Sequence, residues 1–164
     1  MVADIVSDFV KVKPQDAVLV LGCGSGSALS QLAKAYPQNR IVAVGFHRMV
    51  SQPNLEHRKT VFPVLPFPAE TFPVVIGLEV LTCSPKGQQL INEVNRVLKP
   101  KGQALFVEFP TSKMRLLRKL FRTADRSFSN VEDLRSFLAG SFPTTAVVRT
   151  EDYLIGICHK QVSS

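Results

Sequence analysis

Five residues, Gly22-Cys23-Gly24-Ser25-Gly26, form a G-x-G-x-G run between an apolar stretch and a helical pattern. Glycine permits backbone angles closed to other residues and lets a ligand approach the main chain closely. A loop that opens a helix also delivers its ligand to the helix's unpaired N–H groups. The dinucleotide fingerprint wants its last glycine one position later, where Ser27 stands. A tight strand-to-helix turn with no ligand would use the same glycines. Among carboxylates, Glu79 lies near the end of an apolar run, where it would orient an acceptor hydroxyl or amine as a base. Its alternative is a strand residue facing a helix, solvent or a lysine, and Glu108 has the same two readings. His47 follows a second apolar run; it is either part of a ligand site or a surface histidine at a strand end. Cys23, Cys83 and Cys158 are far apart and form no C-x-x-C pair. No metal site or disulfide framework is expected, and a reducing, cytoplasmic setting fits best. Cys83 lacks a neighbouring histidine in sequence and reads as a small buried thiol.

The elements that must position these residues alternate. Ala17–Leu21 is continuously apolar, as a strand covered on both faces should be. Ser27–Tyr36 puts Leu29, Leu32 and Ala33 on one helical face before Pro37. Arg40–Val44 and Val74–Val80 read as further buried strands, and Lys86–Leu98 as an amphipathic helix with Leu90, Val94, Val97 and Leu98 inward. Ile5, Val6, Phe9 and Val10 predict a short opening helix. Ser51–Arg58 is polar and broken by Pro53, so no long helix is expected there; Pro63 limits Thr60–Leu65 to an edge or very short strand. Gly102–Phe109 predicts a strand, and Ser112–Phe121 a basic helix. Ser129-x-x-Glu132 predicts a capping box for a helix ending at Gly140. Val147–Arg149 and Tyr153–Cys158 predict a final β pair. The order implies one α/β domain over residues 1–164. Its sheet is Rossmann-like and mostly parallel, with helices on both faces and at least one antiparallel C-terminal strand.

Three segments then resemble a known family. Val18–Leu29 (VLVLGCGSGSAL) resembles the first motif of class I S-adenosylmethionine-dependent methyltransferases. Leu65–Leu81 (LPFPAETFPVVIGLEVL) and Asn92–Phe109 (NEVNRVLKPKGQALFVEF) are similar to segments of the ubiquinone/menaquinone-type (type 11) branch. Ser129–Phe142 looks like its late helix, so the resemblance spans roughly residues 5–160. It implies S-adenosylmethionine as cofactor. It also implies a site made by Gly22, Cys23, Gly24, Ser25 and Gly26, by Phe46 and His47 beyond the second strand, and by Leu65 and Leu78. The end of the fourth strand, near Glu79, would face the transferable methyl. A sulfonium is already a reactive donor, so positioning supplies much of the rate.

The chain departs from the family at its acids. Val20, Gly45, Val61 and Pro73 stand where the resemblance leads one to expect carboxylates. Losing a ribose-gripping carboxylate would weaken cofactor binding by roughly tenfold to a hundredfold. Besides a methyltransferase of unknown acceptor, two other readings follow. One is a degenerate domain acting as a protein-interaction module. The other is a site for a phosphorylated nucleotide such as NADP, admitted by Gly45 and nearby Arg48.

The chain's 164 residues carry 20 Lys and Arg against 13 Asp and Glu, a net charge of +7. This favours anionic partners, with a solvated basic surface as the plain alternative. Lys113–Arg122 puts Arg115, Arg118, Lys119 and Arg122 on one face, either an anion- or membrane-surface helix or a solvated one. With no Trp and two Tyr, nucleic-acid stacking has no support beyond net charge. No run is long and apolar enough to span a membrane, and the N-terminus lacks the pattern of a signal peptide. Short pieces around the sheet predict an open site, suited to an anionic or macromolecular acceptor or to closure by a partner protein or a second copy.

Overall fold

Apolar residues alternate in two registers along the central strands, and this alternation divides the core. Leu19 and Leu21 face one way with Val42 and Val44; Val18 and Val20 face the other with Ile41 and Ala43. The computed structural model describes residues 2–22, 24, 26–45, 50–110 and 127–162. They form helices α1 (Val2–Phe9), α2 (Ser27–Ala35), α3 (Val80–Cys83), α4 (Gly87–Val97) and α5 (Val131–Ala139). The strands are β1 (Ala17–Gly22), β2 (Arg40–Val44), β3 (Leu55–Arg58), β4 (Phe72–Leu78), β5 (Leu98–Glu108), β6 (Thr144–Arg149) and β7 (Leu154–His159). They make one seven-stranded sheet in the order β3-β2-β1-β4-β5-β7-β6.

The pairs β3·β2, β2·β1, β1·β4 and β4·β5 are parallel, while β7 is antiparallel to both β5 and β6. The sheet is therefore parallel over five strands and antiparallel at one side, as the element order implied. One face packs α1 and α2 through Val6, Leu29, Leu32 and Ala33. The other packs α4 and α5 through Leu90, Ile91, Val94, Leu134 and Leu138. Each such side chain contributes about 1.5–3 kcal/mol by leaving water.

Two expectations are corrected. The short strand after β2 is Leu55–Arg58, not part of Thr60–Leu65, where the chain turns at Phe62 and Pro63. An edge strand has one partner, so the half-buried, polar LEHR run suffices, whereas Pro63 lacks the N–H a ladder needs. The cap of α5 is Asn130, whose Oδ1 accepts from the Asp133 N–H at 3.0 Å; Asp133 accepts in return from the Ser129 N–H at 3.0 Å. The predicted box is thus shifted by one residue. Asn is as good an N-cap as Ser, and Asp133 reaches back as Glu132 would have done. Gly140 closes α5 as expected, in right-handed backbone at φ −60. Pro73 breaks the β4·β5 register between Phe72 and Val74, since it has no N–H to give. The predicted basic helix over residues 112–121 lies outside the described residues.

Candidate functional site

The parallel register brings the C-terminal ends of β1, β2 and β4 to a common rim. Leu21 pairs with Val44, and Gly22 with Leu78. Ligands of open α/β sheets bind beyond this edge. Gly22 is the last residue of β1, Gly24 is exposed, and Gly26 is the N-cap of α2 at φ 88, ψ 2. Only glycine holds that left-handed angle without strain. No side chain caps α2, whose first backbone bond runs from the Ser30 N–H to the Gly26 carbonyl at 2.9 Å. The amides ahead of Ser30 therefore have no partner inside the helix. Among the described residues, a β-carbon built on Gly24 meets nothing within 4 Å, so the loop is open on the side they form. Cys23, Ser25, Phe46 and His47 lie outside the described residues.

Leu65 and Leu78 differ from simple rim residues. Leu65 is 2% exposed and its side chain belongs to the core. Its backbone is clamped from α4: the N–H donates to Glu93 at 3.0 Å, and its carbonyl accepts from Arg96 at 3.1 Å. Arg96 also donates to the Phe67 carbonyl at 2.9 Å and grips Glu93 with two bonds, at 2.6 and 2.8 Å. Those bonds hold the Glu93 carboxyl below its usual range. Leu78 ends β4 and is buried in the opposite core layer.

Glu79 follows at once, in left-handed backbone at φ 55, ψ 21. Its N–H donates to the Val107 carbonyl at 2.8 Å, tying it to the end of β5. It is half-buried, and burial raises its pKa. Glu108 is wholly buried beneath it. The Glu108 carboxyl accepts from the Leu81 and Thr82 N–H groups, at 2.9 and 3.2 Å, and bonds the Thr82 hydroxyl. Burial pushes its pKa up to about 7 against these bonds, with a smaller push from the Glu79 charge. Two acids whose charged forms are disfavoured thus sit at adjacent strand ends, a setting suited to holding or moving a proton. Cys83 ends α3 half-buried, more accessible than a buried thiol, whereas Cys158 is buried and its thiol is pushed up to about 12. Among the described residues no group of His, Cys, Asp and Glu could hold a metal ion.

Sequence reasoning found the glycine loop and Glu79 but missed two supports. The Glu93–Arg96 clamp was present as E-x-x-R spacing on one helix, without its backbone targets. Glu108 reads from the sequence as a base or as a strand residue, not as the acid that ties down the turn after β4. Its end-of-strand position, opposite a turn with unpaired N–H groups, was the available signal.

Residues 19–106 match the family described as "Methyltransferase domain". Glycine/sarcosine/dimethylglycine N-methyltransferase of Actinopolyspora halophila is 32% identical over 111 residues, 60% of this chain and 20% of that protein. 24-Methylenesterol C-methyltransferase 3 of Arabidopsis thaliana is 27% identical over 114 residues, 62% of this chain and 31% of that protein. The chain therefore spans less than a third of the length of these curated relatives. Among solved structures, a chain of the complex between the Haloferax volcanii Trm112 methyltransferase activator and a methyltransferase superposes with a TM-score of 0.80 at 16% identity, over 98% of this chain and 89% of that one. Phosphoethanolamine N-methyltransferase 2 of Haemonchus contortus, solved with S-adenosyl-L-methionine, gives 0.77 at 12% identity, over 98% of this chain and 52% of that one. The structural likenesses establish the fold. With a family match running from β1 into β5, over more than half of its length, the chain belongs to the methyltransferase-domain family.

Proposed function

We propose that this domain is an S-adenosylmethionine-dependent methyltransferase whose acceptor meets the sheet at the C-terminal rim. The observation that carries the reading is the open glycine loop at the end of β1, inside the family match. The loop suits the polar parts of such a cofactor, because the uncapped start of α2 offers N–H donors and Gly24 leaves space above them. When bound, the cofactor supplies an electrophilic methyl group on a sulfonium. Gly22, Gly24 and Gly26, with Cys23 and Ser25, would hold its amino-acid and sugar portions; Phe46, His47, Leu65 and Leu78 would border the nucleoside. Glu79, raised by burial, would orient an acceptor hydroxyl or amine and take up its proton. Glu108 holds the turn that carries Glu79.

An acceptor that is anionic or macromolecular suits the net charge of +7 and the few elements around the rim. Closure of the site by a partner protein is in keeping with the structural relative solved with an activator. Three cysteines far apart in sequence, with no C-x-x-C pair, suit a cytoplasmic setting. Among the described residues, no helix is long and apolar enough to cross a membrane.

The test uses Gly24→Val. Gly24 is exposed and a β-carbon on it meets no described residue within 4 Å, so stability should stay within about 0.5 kcal/mol. S-adenosylhomocysteine affinity, measured by calorimetry, should fall at least tenfold, because the new side chain enters the ligand's space. No binding to the unaltered domain at millimolar ligand overturns the proposal.

A further inference from the structure

Strand β3 (Leu55–Arg58) closes one side of the sheet and pairs only with β2. The Ile41 N–H donates to the Asn54 carbonyl at 2.9 Å, which sets the phase of this parallel ladder. Glu56 and Arg58 therefore turn their backbone groups toward β2, and Leu55 and His57 turn theirs outward. The Leu55 N–H is taken by the Gln52 carbonyl at 3.1 Å; among the described residues nothing bonds the His57 N–H or carbonyl. An edge of this kind is a template for another strand. Its charges share one face: Glu56 pairs with Arg40 and with Arg58, and Arg40 holds the Glu56 carboxyl below its usual range.

Two features flank this edge. Beyond its end, Val61 is 85% exposed, on a turn bridged by the Thr60 hydroxyl donating to the Val64 carbonyl at 2.6 Å and anchored in the core by Phe62. At its start, a cavity of about 360 Å³ lies between Pro37, Asn39, Arg40, Pro53, Leu55 and Glu56. Its walls are fixed: the Asn54 side-chain amide donates to the Ala33, Tyr36 and Asn39 carbonyls, and that of Asn39 to the Lys13 and Asp16 carbonyls. A two-fold axis at His57 relates all these parts. Antiparallel pairing about it lets the two His57 residues exchange N–H to carbonyl bonds. Glu56 of each chain then stands opposite Arg58 of the other, and Val61 reaches Pro53 of the other chain, four residues or about 13 Å from the axis. Parallel pairing in register would set like charges together instead, so the Glu-His-Arg run is complementary to itself only in the antiparallel sense.

We propose that β3 pairs antiparallel with β3 of a second copy about a two-fold axis at His57, seating Val61 of each chain at the cavity beside Pro53 of the other. The contact is isologous, so every element of it occurs twice. A four-residue strand alone falls short of the roughly 1,000 Å² that a specific interface buries, and the two Val61 turns extend it at both ends. The proposal does not depend on what the C-terminal rim binds.

Sedimentation velocity on the whole chain, between about 5 and 200 µM, tests it. Wild type should pass from one-chain to two-chain mass across that range. Glu56→Arg and Arg58→Glu should each raise the dissociation constant about tenfold or more, because each sets like charges opposite one another twice. An equimolar mixture of these two variants should dimerise again, since both opposed positions then carry opposite charges. Val61→Asp should weaken the dimer by a similar factor with thermal unfolding unchanged, the position being exposed. A wild type that stays monomeric throughout overturns the proposal and leaves the edge to a strand of another protein. So does a dimer that the charge variants or Val61→Asp leave intact, or a mixture that stays monomeric. Should Glu56→Arg fail to fold, Arg58→Glu and Val61→Asp decide the matter.

Discussion

Glu108 is an acid whose pKa the fold raises to about 7 by burying it, although three donors from α3 converge on it. The folded chain keeps this proton to higher pH than the unfolded chain does, so between the two values the unfolded state binds fewer protons. The contribution is complete below the ordinary value of 4.5 and is lost as pH rises to about 7. The loss amounts to about 3 kcal/mol over that window. Glu79, also raised by burial, acts with the same sign. Urea unfolding of wild type and Glu108→Gln at pH 5 and pH 8 checks this. The variant should show a much shallower decline, and parallel profiles would refute the assignment. None of this was legible in the sequence, where Glu108 is one acid after an apolar run. Burial on a sheet beneath a helix start is a tertiary property. The glycine loop, by contrast, was legible, because a strand feeding a helix through Gly22, Gly24 and Gly26 leaves the backbone few alternatives.

At the scale of elements, the connection between β3 and β4 hangs on α4. Arg96 bonds the Leu65 and Phe67 carbonyls and both oxygens of Glu93, and Glu93 in turn receives the Leu65 N–H. A planar guanidinium makes this fork; an ammonium cannot make all of it. Arg96→Lys should cost about 1–2 kcal/mol by chemical denaturation, and amide exchange should quicken at Leu65 and Phe67. An unchanged exchange pattern would show that the core side chain of Leu65 holds the segment alone. This region was also the least readable. The chain from Ser51 to Leu65 carries two prolines and few apolar residues at a fixed period, so the short edge strand slid by several residues in the reading. Helix α4 was readable to within a residue at each end, because Leu90, Val94 and Val97 repeat at helical spacing and Pro100 cannot continue the helix.

At the scale of the whole molecule, β7 joins the hairpin strand β6 to the parallel body of the sheet. Leu154, Ile155 and Cys158 are buried in the two core layers, and Gly156 leaves room for Leu138 of α5 to press against the strand. Removing residues 150–164 should abolish cooperative thermal unfolding and give aggregates by light scattering, since β5 would be left with an open, apolar edge. A soluble, cooperatively melting truncation would mean that β6 can take the place of β7. The antiparallel relation of the last strands was legible from the short turn at Glu151 and Asp152; their order was not, since a turn dictates pairing between two strands and not which of them lies inside. That order has a consequence for synthesis. A nascent chain that has emerged from the ribosome only through β6 holds six strands, two sets of helices and an incomplete seam. The segment that closes the seam arrives after the strand it must separate from β5, so the growing domain depends on β6 waiting unpaired, or on a chaperone keeping it from docking prematurely.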